Sequence, residues 1–231
     1  SRILVKHQSG SIFATLNVVK NDWLLPGDVG LSEAAWQMLK AAEGDSVELS
    51  HPLPLASLGD VRAKLYGKHL EPDDYRHIIG DIAARRYSDV DLSAFIAACA
   101  GDRMALDEVI SLTKAMIASG DELSWNAAPI MDKHCVGGLP GNRTTLLVVP
   151  IVAAFGLTMP KTSSRAITSP AGTADTMETL APVSLGLGEM RKVVEREGGC
   201  VAWGGSVNLS PADDVLIRIE RALDIDGEGQ L

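Results

Sequence analysis

The sequence predicts a mixed α/β protein made of a small N-terminal β-rich domain, an all-α helical domain and the start of a parallel-sheet α/β domain. Three observations predict it. Apolar and polar residues alternate in short runs over the first fifty positions; apolar residues recur at helical spacing from Glu71 to about Ser119; and from residue 126 short apolar segments lead into Gly-rich turns and helical runs. With 46% hydrophobic and 22% charged residues, the 231-residue chain can bury a core, which sets intrinsic disorder aside.

The first strand material is Ile12-Phe13-Ala14-Thr15-Leu16-Asn17-Val18-Val19, with turns at Pro26-Gly27-Asp28 and Glu43-Gly44-Asp45. Ser32 N-caps a compact helix to Leu39, without a capping box because Glu33 follows it directly. His51-Pro52-Leu53-Pro54-Leu55 interrupts regular structure and makes a linker over about 51–60, so the β-rich domain is assigned to 1–60. Helices near 72–86, 89–100 and 105–119 form a helical domain over 61–124. Tyr75, Ile78, Ile79 and Ile82 share one face of the first, and Gly120 closes the last at the C′ position. The α/β domain, 125–210, opens with a strand at Ala127-Ala128-Pro129-Ile130-Met131, then a loop, a helix from Thr144 to Phe155 and a strand at Leu157-Thr158-Met159, the βαβ rhythm of a parallel sheet. Pro211 to Leu223 is helical again, with Val215, Ile217 and Ile219 apolar, and 211–231 is expected to rejoin the helical domain. Too few strands appear by Leu231 for a typical sheet of ~5–6, so the α/β domain is expected to continue past that point.

Charge and cysteine usage narrow the class. The balance of 21 Lys and Arg against 30 Asp and Glu gives −9, opposite to the basic surface of a nucleic-acid coat. No apolar run approaches the ~20 residues of a membrane helix, and Ser1-Arg2-Ile3-Leu4-Val5-Lys6 carries neither a basic leader nor a signal core. Cys99, Cys135 and Cys200, odd in number and scattered, fit neither a disulfide framework nor a metal knuckle. A cytoplasmic protein is expected.

Two loops carry the chemistry. Asp132-Lys133-His134-Cys135-Val136-Gly137-Gly138-Leu139-Pro140-Gly141-Asn142-Arg143-Thr144-Thr145 is a Gly-rich turn between a strand and a helix. Glycines let backbone N–H groups approach an anion, the helix N-terminus adds its dipole, and Lys133 and Arg143 add charge. It lacks the Gly-Lys-Ser/Thr ending of an ATP-binding P-loop. Spacing alone supports a tight turn with solvated charges equally well. The second loop, Pro160 to Asp175, holds six hydroxyls, a Lys and an Arg between Lys161 and Thr173, the groups that bind phosphate or sugar oxygens. Alone it would read as a Ser/Thr loop with capping roles. Two such loops after successive parallel strands together point to an oxyanion site, because ligands bind beyond the carboxyl ends of those strands. His134, inside the first turn, is assigned to the site, whereas Cys135 lacks a base oriented by a third group and is not read as a nucleophile. Asp224 and Asp226 read by themselves as a solvated helix end.

Asp132-Lys133-His134-Cys135-Val136-Gly137-Gly138 closely resembles the DKHSxGG signature of the pyrimidine-nucleoside phosphorylases. The run Lys161-Thr162-Ser163-Ser164-Arg165-Ala166-Ile167-Thr168-Ser169-Pro170-Ala171-Gly172-Thr173-Ala174-Asp175 resembles the form found in their long branch, the type 2 thymidine phosphorylases and archaeal AMP phosphorylases, which also carry an extra N-terminal β domain. The resemblance spans essentially the whole chain. It implies phosphorolysis: inorganic phosphate, a co-substrate, attacks C1′ of a nucleoside or nucleotide and releases the base and a pentose 1-phosphate.

Carried onto this sequence, Lys133 matches the phosphate-binding Lys and His134 a His near the pyrimidine. Thr145, Ser163 and Thr173 match hydroxyl residues of the phosphate site. Gly138, the run Ser164, Arg165, Ala166, Ile167, Thr168 and Ser169, and again Thr173 match nucleotide-binding positions of the AMP phosphorylases. Asp226 matches their proton donor, so Asp226 and His134 are the catalytic candidates. Cys135 stands where the family has Ser, removing a hydroxyl donor. The base-reading Arg has Arg218 and Arg221 as its candidates. The resemblance further implies no metal or organic cofactor, no nucleic-acid polymer or membrane as partner, and a homo-oligomer. Thymidine is the leading substrate, AMP (giving ribose 1,5-bisphosphate) its rival, and a non-catalytic anion-binding fragment the alternative of a different class.

Overall fold

The computed structural model describes residues 2–134, 143–166 and 171–223. The chain divides into two compact units, 1–56 and 57–231. In the first, strands β1 (Arg2–His7), β2 (Gly10–Thr15) and β3 (Glu48–Ser50) form an antiparallel sheet in the order β2-β1-β3, with Val5 opposite both Ile12 and Leu49. Alternation puts Ile3, Val5 and Ile12 on one face, where they bury Leu39 of helix α1 (Glu33–Leu39). Ser32 caps that helix as expected: its Oγ accepts from the Ala35 N–H at 3.3 Å.

The second unit begins with four helices, α2 (Ser57–Leu65), α3 (Pro72–Ala83), α4 (Asp89–Cys99) and α5 (Leu106–Ala118). Helix α2 starts inside the stretch expected to be linker, so the irregular connection is shorter than its prolines suggest. Helices α3 and α4 start with capping boxes, Glu71 with Asp74 and Ser88 with Asp91. Tyr75, Ile78, Ile79 and Ile82 are all fully buried, as the spacing requires. The buried carboxylate of Glu108 takes hydrogen bonds from Lys64 at 2.6 Å, Leu70 N–H at 2.9 Å, Tyr75 Oη at 3.1 Å and Ala105 N–H at 3.1 Å, tying α2, α3 and α5 together.

Helix α6 (Thr144–Ala154), strand β4 (Met159–Ser163), helices α7 (Thr173–Glu178) and α8 (Leu187–Glu197), strand β5 (Gly199–Trp203), a 3-10 turn (Gly204–Ser206) and helix α9 (Pro211–Leu223) follow. Strands β4 and β5 are parallel, Met159 opposite Gly199 and Ser163 opposite Trp203. The strand expected at 127–131 contributes a single parallel bridge, Ile130 to Thr158, with Met131 N–H donating to Thr158 O at 2.8 Å. β4 therefore lies between Ile130 and β5. It also starts and ends later than expected, so Lys161, Thr162 and Ser163 are strand residues rather than loop. Neither α8 nor β5 is among the elements expected from the sequence. Val201 packs with Met159 and Val149 of α6, while its neighbours Cys200 and Ala202 pack with Met190 and Val194 of α8, so helices cover both faces of the sheet. Helix α9 packs on α3, α4 and α5, and Arg218 pairs with Asp89 at 2.7 Å. No helix among the described residues is long and apolar enough to cross a membrane.

Candidate functional site

The chain after each parallel strand emerges at the same end of the sheet: Met131 to His134 after the Ile130 bridge, Ser164 to Ala166 after β4, and the 3-10 turn after β5. That end is where an α/β sheet presents loops and helix N-termini to a ligand.

In the first turn, Lys133 Nζ donates to Thr145 Oγ1 at 3.1 Å. Thr145 is buried in the first turn of α6, at the positive end of the helix dipole, and no acidic side chain of that turn offsets it. An ammonium and a helix N-terminus thus meet at one point. Asp132, next to Lys133, is held by Lys161 Nζ at 3.3 Å, and Lys161 is itself buried in the middle of β4. His134 is exposed beside them.

The second turn is fastened more heavily. Ser163 is the last, half-buried residue of β4, and Ser164 and Arg165 follow it. Thr173, buried, opens α7. Asp175 Oδ2 accepts from Ala166 N–H at 2.8 Å and from Gly172 N–H at 2.9 Å, while Arg165 donates to Asp175 Oδ1 at 2.9 Å. Burial pushes the Asp175 carboxyl up, but these donors outweigh it and hold it below the usual carboxylate range. Arg165 also grips Glu178 with both terminal nitrogens, at 2.6 and 2.8 Å, and lies 4.9 Å above the Trp203 ring. The Arg165 hydrogen bond is the main cause that lowers the Glu178 carboxyl. A Cβ at residue 172 would sit 2.7 Å from both the Ala166 nitrogen and the Arg165 carbonyl carbon, so only glycine allows this approach.

The two turns are linked by the Asp132–Lys161 pair and by packing of α7 on α6. Lys133 and Thr145 are thus in contact, with His134 next to Lys133 in the chain; Ser163, Ser164, Arg165, Ala166 and Thr173 belong to the neighbouring turn. Gly138, Ile167, Thr168, Ser169 and Asp226, with Cys135, lie outside the described residues. Of the base-reading candidates, Arg218 is engaged by Asp89 of α4, and Arg221 is exposed. Sequence reasoning misses Asp175 and Glu178 as organisers of the second turn. A signal for Asp175 is present, because an acidic residue three places after Gly172 is the N3 half of a capping box. Lys161 reads as a loop charge in the sequence, and its burial in a strand is not legible there. Among the described residues no group of three or more His, Cys, Asp or Glu could hold a metal ion.

Comparison with known proteins agrees with this architecture. Residues 61–120 match the helical bundle domain of a glycosyl transferase family, and 127–226 match the a/b domain of the same family. The whole chain is 62% identical to a "Putative thymidine phosphorylase" of Polaromonas sp. strain JS666 and covers 45% of that protein. It is 62% identical to one of Legionella pneumophila strain Paris, again over 45% of its length, and 60% identical to one of Hahella chejuensis over 46%. The chain therefore spans about half the length of these relatives. The crystal structure of anthranilate phosphoribosyltransferase from Thermus thermophilus superposes with a TM-score of 0.58 at 20% identity, covering 72% of this chain and 51% of that one, a likeness of fold. With its helices, its parallel strands and its sequence all matching in order, the chain belongs to the glycosyl transferase family defined by this helical bundle and a/b domain.

Proposed function

We propose that this chain supplies the phosphate-binding part of a nucleoside phosphorylase, with thymidine or another pyrimidine nucleoside as substrate. The observation that carries the reading is the Lys133 ammonium hydrogen-bonded to Thr145 in the first turn of α6, beyond the end of a parallel strand. The pair sets a positive charge, a hydroxyl and helix-terminal backbone N–H groups where one tetrahedral oxyanion would be bound. The substrate class rests on the names of the relatives, each called a "Putative thymidine phosphorylase".

In this reading a phosphate oxygen forms a bond to C1′ as the C1′–N bond breaks, and the departing base takes the electron pair. Lys133, Thr145, Ser163 and Thr173 orient the phosphate in line with that bond, which removes much of the entropic barrier without a covalent intermediate. His134, exposed and next to Lys133 in the chain, would in this reading give the base its proton or a strong hydrogen bond, a contribution of ~10²–10⁴-fold. Phosphate is a co-substrate, and the steps call on no metal or organic cofactor. The test is release of free base from thymidine, uridine, AMP, CMP and UMP in the presence and absence of phosphate. Phosphate-dependent release of thymine or uracil from the nucleosides supports the reading. Release from AMP alone moves the substrate to a nucleotide, and no release from any of them contradicts it.

A further inference from the structure

Arg165 sits at the turn where anion ligands are expected, yet its charge is already spent. Three of its N–H groups go to carboxylates: Nη1 to Asp175 at 2.9 Å and Glu178 at 2.6 Å, Nη2 to Glu178 at 2.8 Å. One guanidinium against two carboxylates leaves this trio net negative, so the fork offers an incoming anion no surplus charge. The Trp203 face, 4.9 Å from the guanidinium carbon, fixes the plane of the fork. What the fork holds is the junction between β4 and α7. The Asp175 carboxylate that it grips accepts the Ala166 and Gly172 N–H groups, and Ala174 N–H reaches Ser164 O at 3.4 Å.

We propose that Arg165 is a positioning residue, which through Asp175, Glu178 and Trp203 holds the end of β4 in register with the first turn of α7 so that Ser163 and Thr173 face one anion. The proposal rests on the phosphate-site reading above and makes Arg165, which the resemblance matches to a nucleotide-binding position, a clamp rather than a ligand. Among the described residues Glu178 reaches this turn through Arg165. A clamp and a ligand respond oppositely to its neutralisation: Glu178→Gln loosens a clamp, whereas it frees a ligand to bind phosphate better.

Steady-state kinetics with phosphate varied, on the intact protein, separates the two. Arg165→Ala and Glu178→Gln are each expected to raise the phosphate KM by about 10-fold with kcat changed by less than about 3-fold, because an interaction common to ground and transition state is lost. The double variant is expected to be no worse than the worse single one, since both act on one unit. An unchanged or lowered phosphate KM in Glu178→Gln overturns the proposal. If the protein releases base from no nucleoside, the phosphorolysis reading fails, and the clamp is judged by amide hydrogen exchange. Exchange at Ala166 and Gly172 should then be at least ~10-fold faster in Glu178→Gln than in the wild type, and equal exchange overturns it. Glu178 is exposed, so this variant keeps the test open even where Arg165→Ala does not fold.

Discussion

At the scale of single residues, the buried Lys64–Glu108 pair makes the firmest demand on stability. The two residues retain only 4% and 2% exposure. Burial pushes the Glu108 carboxyl up, but hydrogen bonds from Leu70 N–H, Lys64, Ala105 N–H and Tyr75 outweigh it and hold it at about 2. A carboxyl lowered in the fold contributes stability above its unfolded value, and that contribution is lost as pH falls from about 4.5 towards about 2. Glu108→Gln leaves Lys64 buried without its counter-charge and is expected to cost ~3–5 kcal/mol at neutral pH. Its stability should also fall less steeply than that of the wild type across the acid window. Urea unfolding at stepped pH measures both, and parallel pH profiles would contradict the assignment. Little of this is legible in the sequence, because Lys64 and Glu108 are 44 positions apart and no local pattern links them. Lys133, His134 and Thr173, by contrast, stand out because charges and hydroxyls cluster in short Gly-rich runs.

At the scale of elements, periodicity exposes α3, α4 and α5, whose apolar stripes and caps are local. It fails at α2, which follows two prolines and carries Gly59 in its first turn, and at β5, whose Gly-Cys-Val-Ala-Trp run is buried on both faces and so does not alternate. Gly120 follows α5 as expected, but the space around it, rather than left-handed backbone, requires glycine. A Cβ there would overlap the Leu209 carbonyl, where Asp121 N–H donates to Asn208 O at 3.0 Å. Gly120→Ala is expected to force residues 208–209 away and to destabilise by ~1–3 kcal/mol. Thermal unfolding checks it, and a melting temperature equal to that of the wild type would show that the contact does not constrain the chain.

At the scale of the whole molecule, the unit over 1–56 has its own small core around Ile3, Val5, Ile12 and Leu39, whereas 57–231 holds the helices and the parallel strands. A unit as small as the first buries little surface and is expected to be marginal. Denaturant unfolding should therefore show two steps, the first reported by half-buried Trp36 and the second by half-buried Trp125 and Trp203. Trp-to-Phe variants followed by fluorescence separate them, and one coincident transition for all three would contradict independent units. The parallel arrangement is legible from the strand–turn–helix rhythm. The return of α9 to the helices is expected from the sequence, whereas its seat on α3, α4 and α5 depends on contacts between residues far apart in the chain.

Both the proposed chemistry and the clamp presuppose that the turn beginning at Lys133 binds inorganic phosphate. Calorimetric titration of phosphate into the wild type and Lys133→Ala tests this most directly. Saturable binding is expected for the wild type, weakened at least ~10-fold in the variant by loss of a charge-assisted contact. Equal affinity in the two proteins would contradict it.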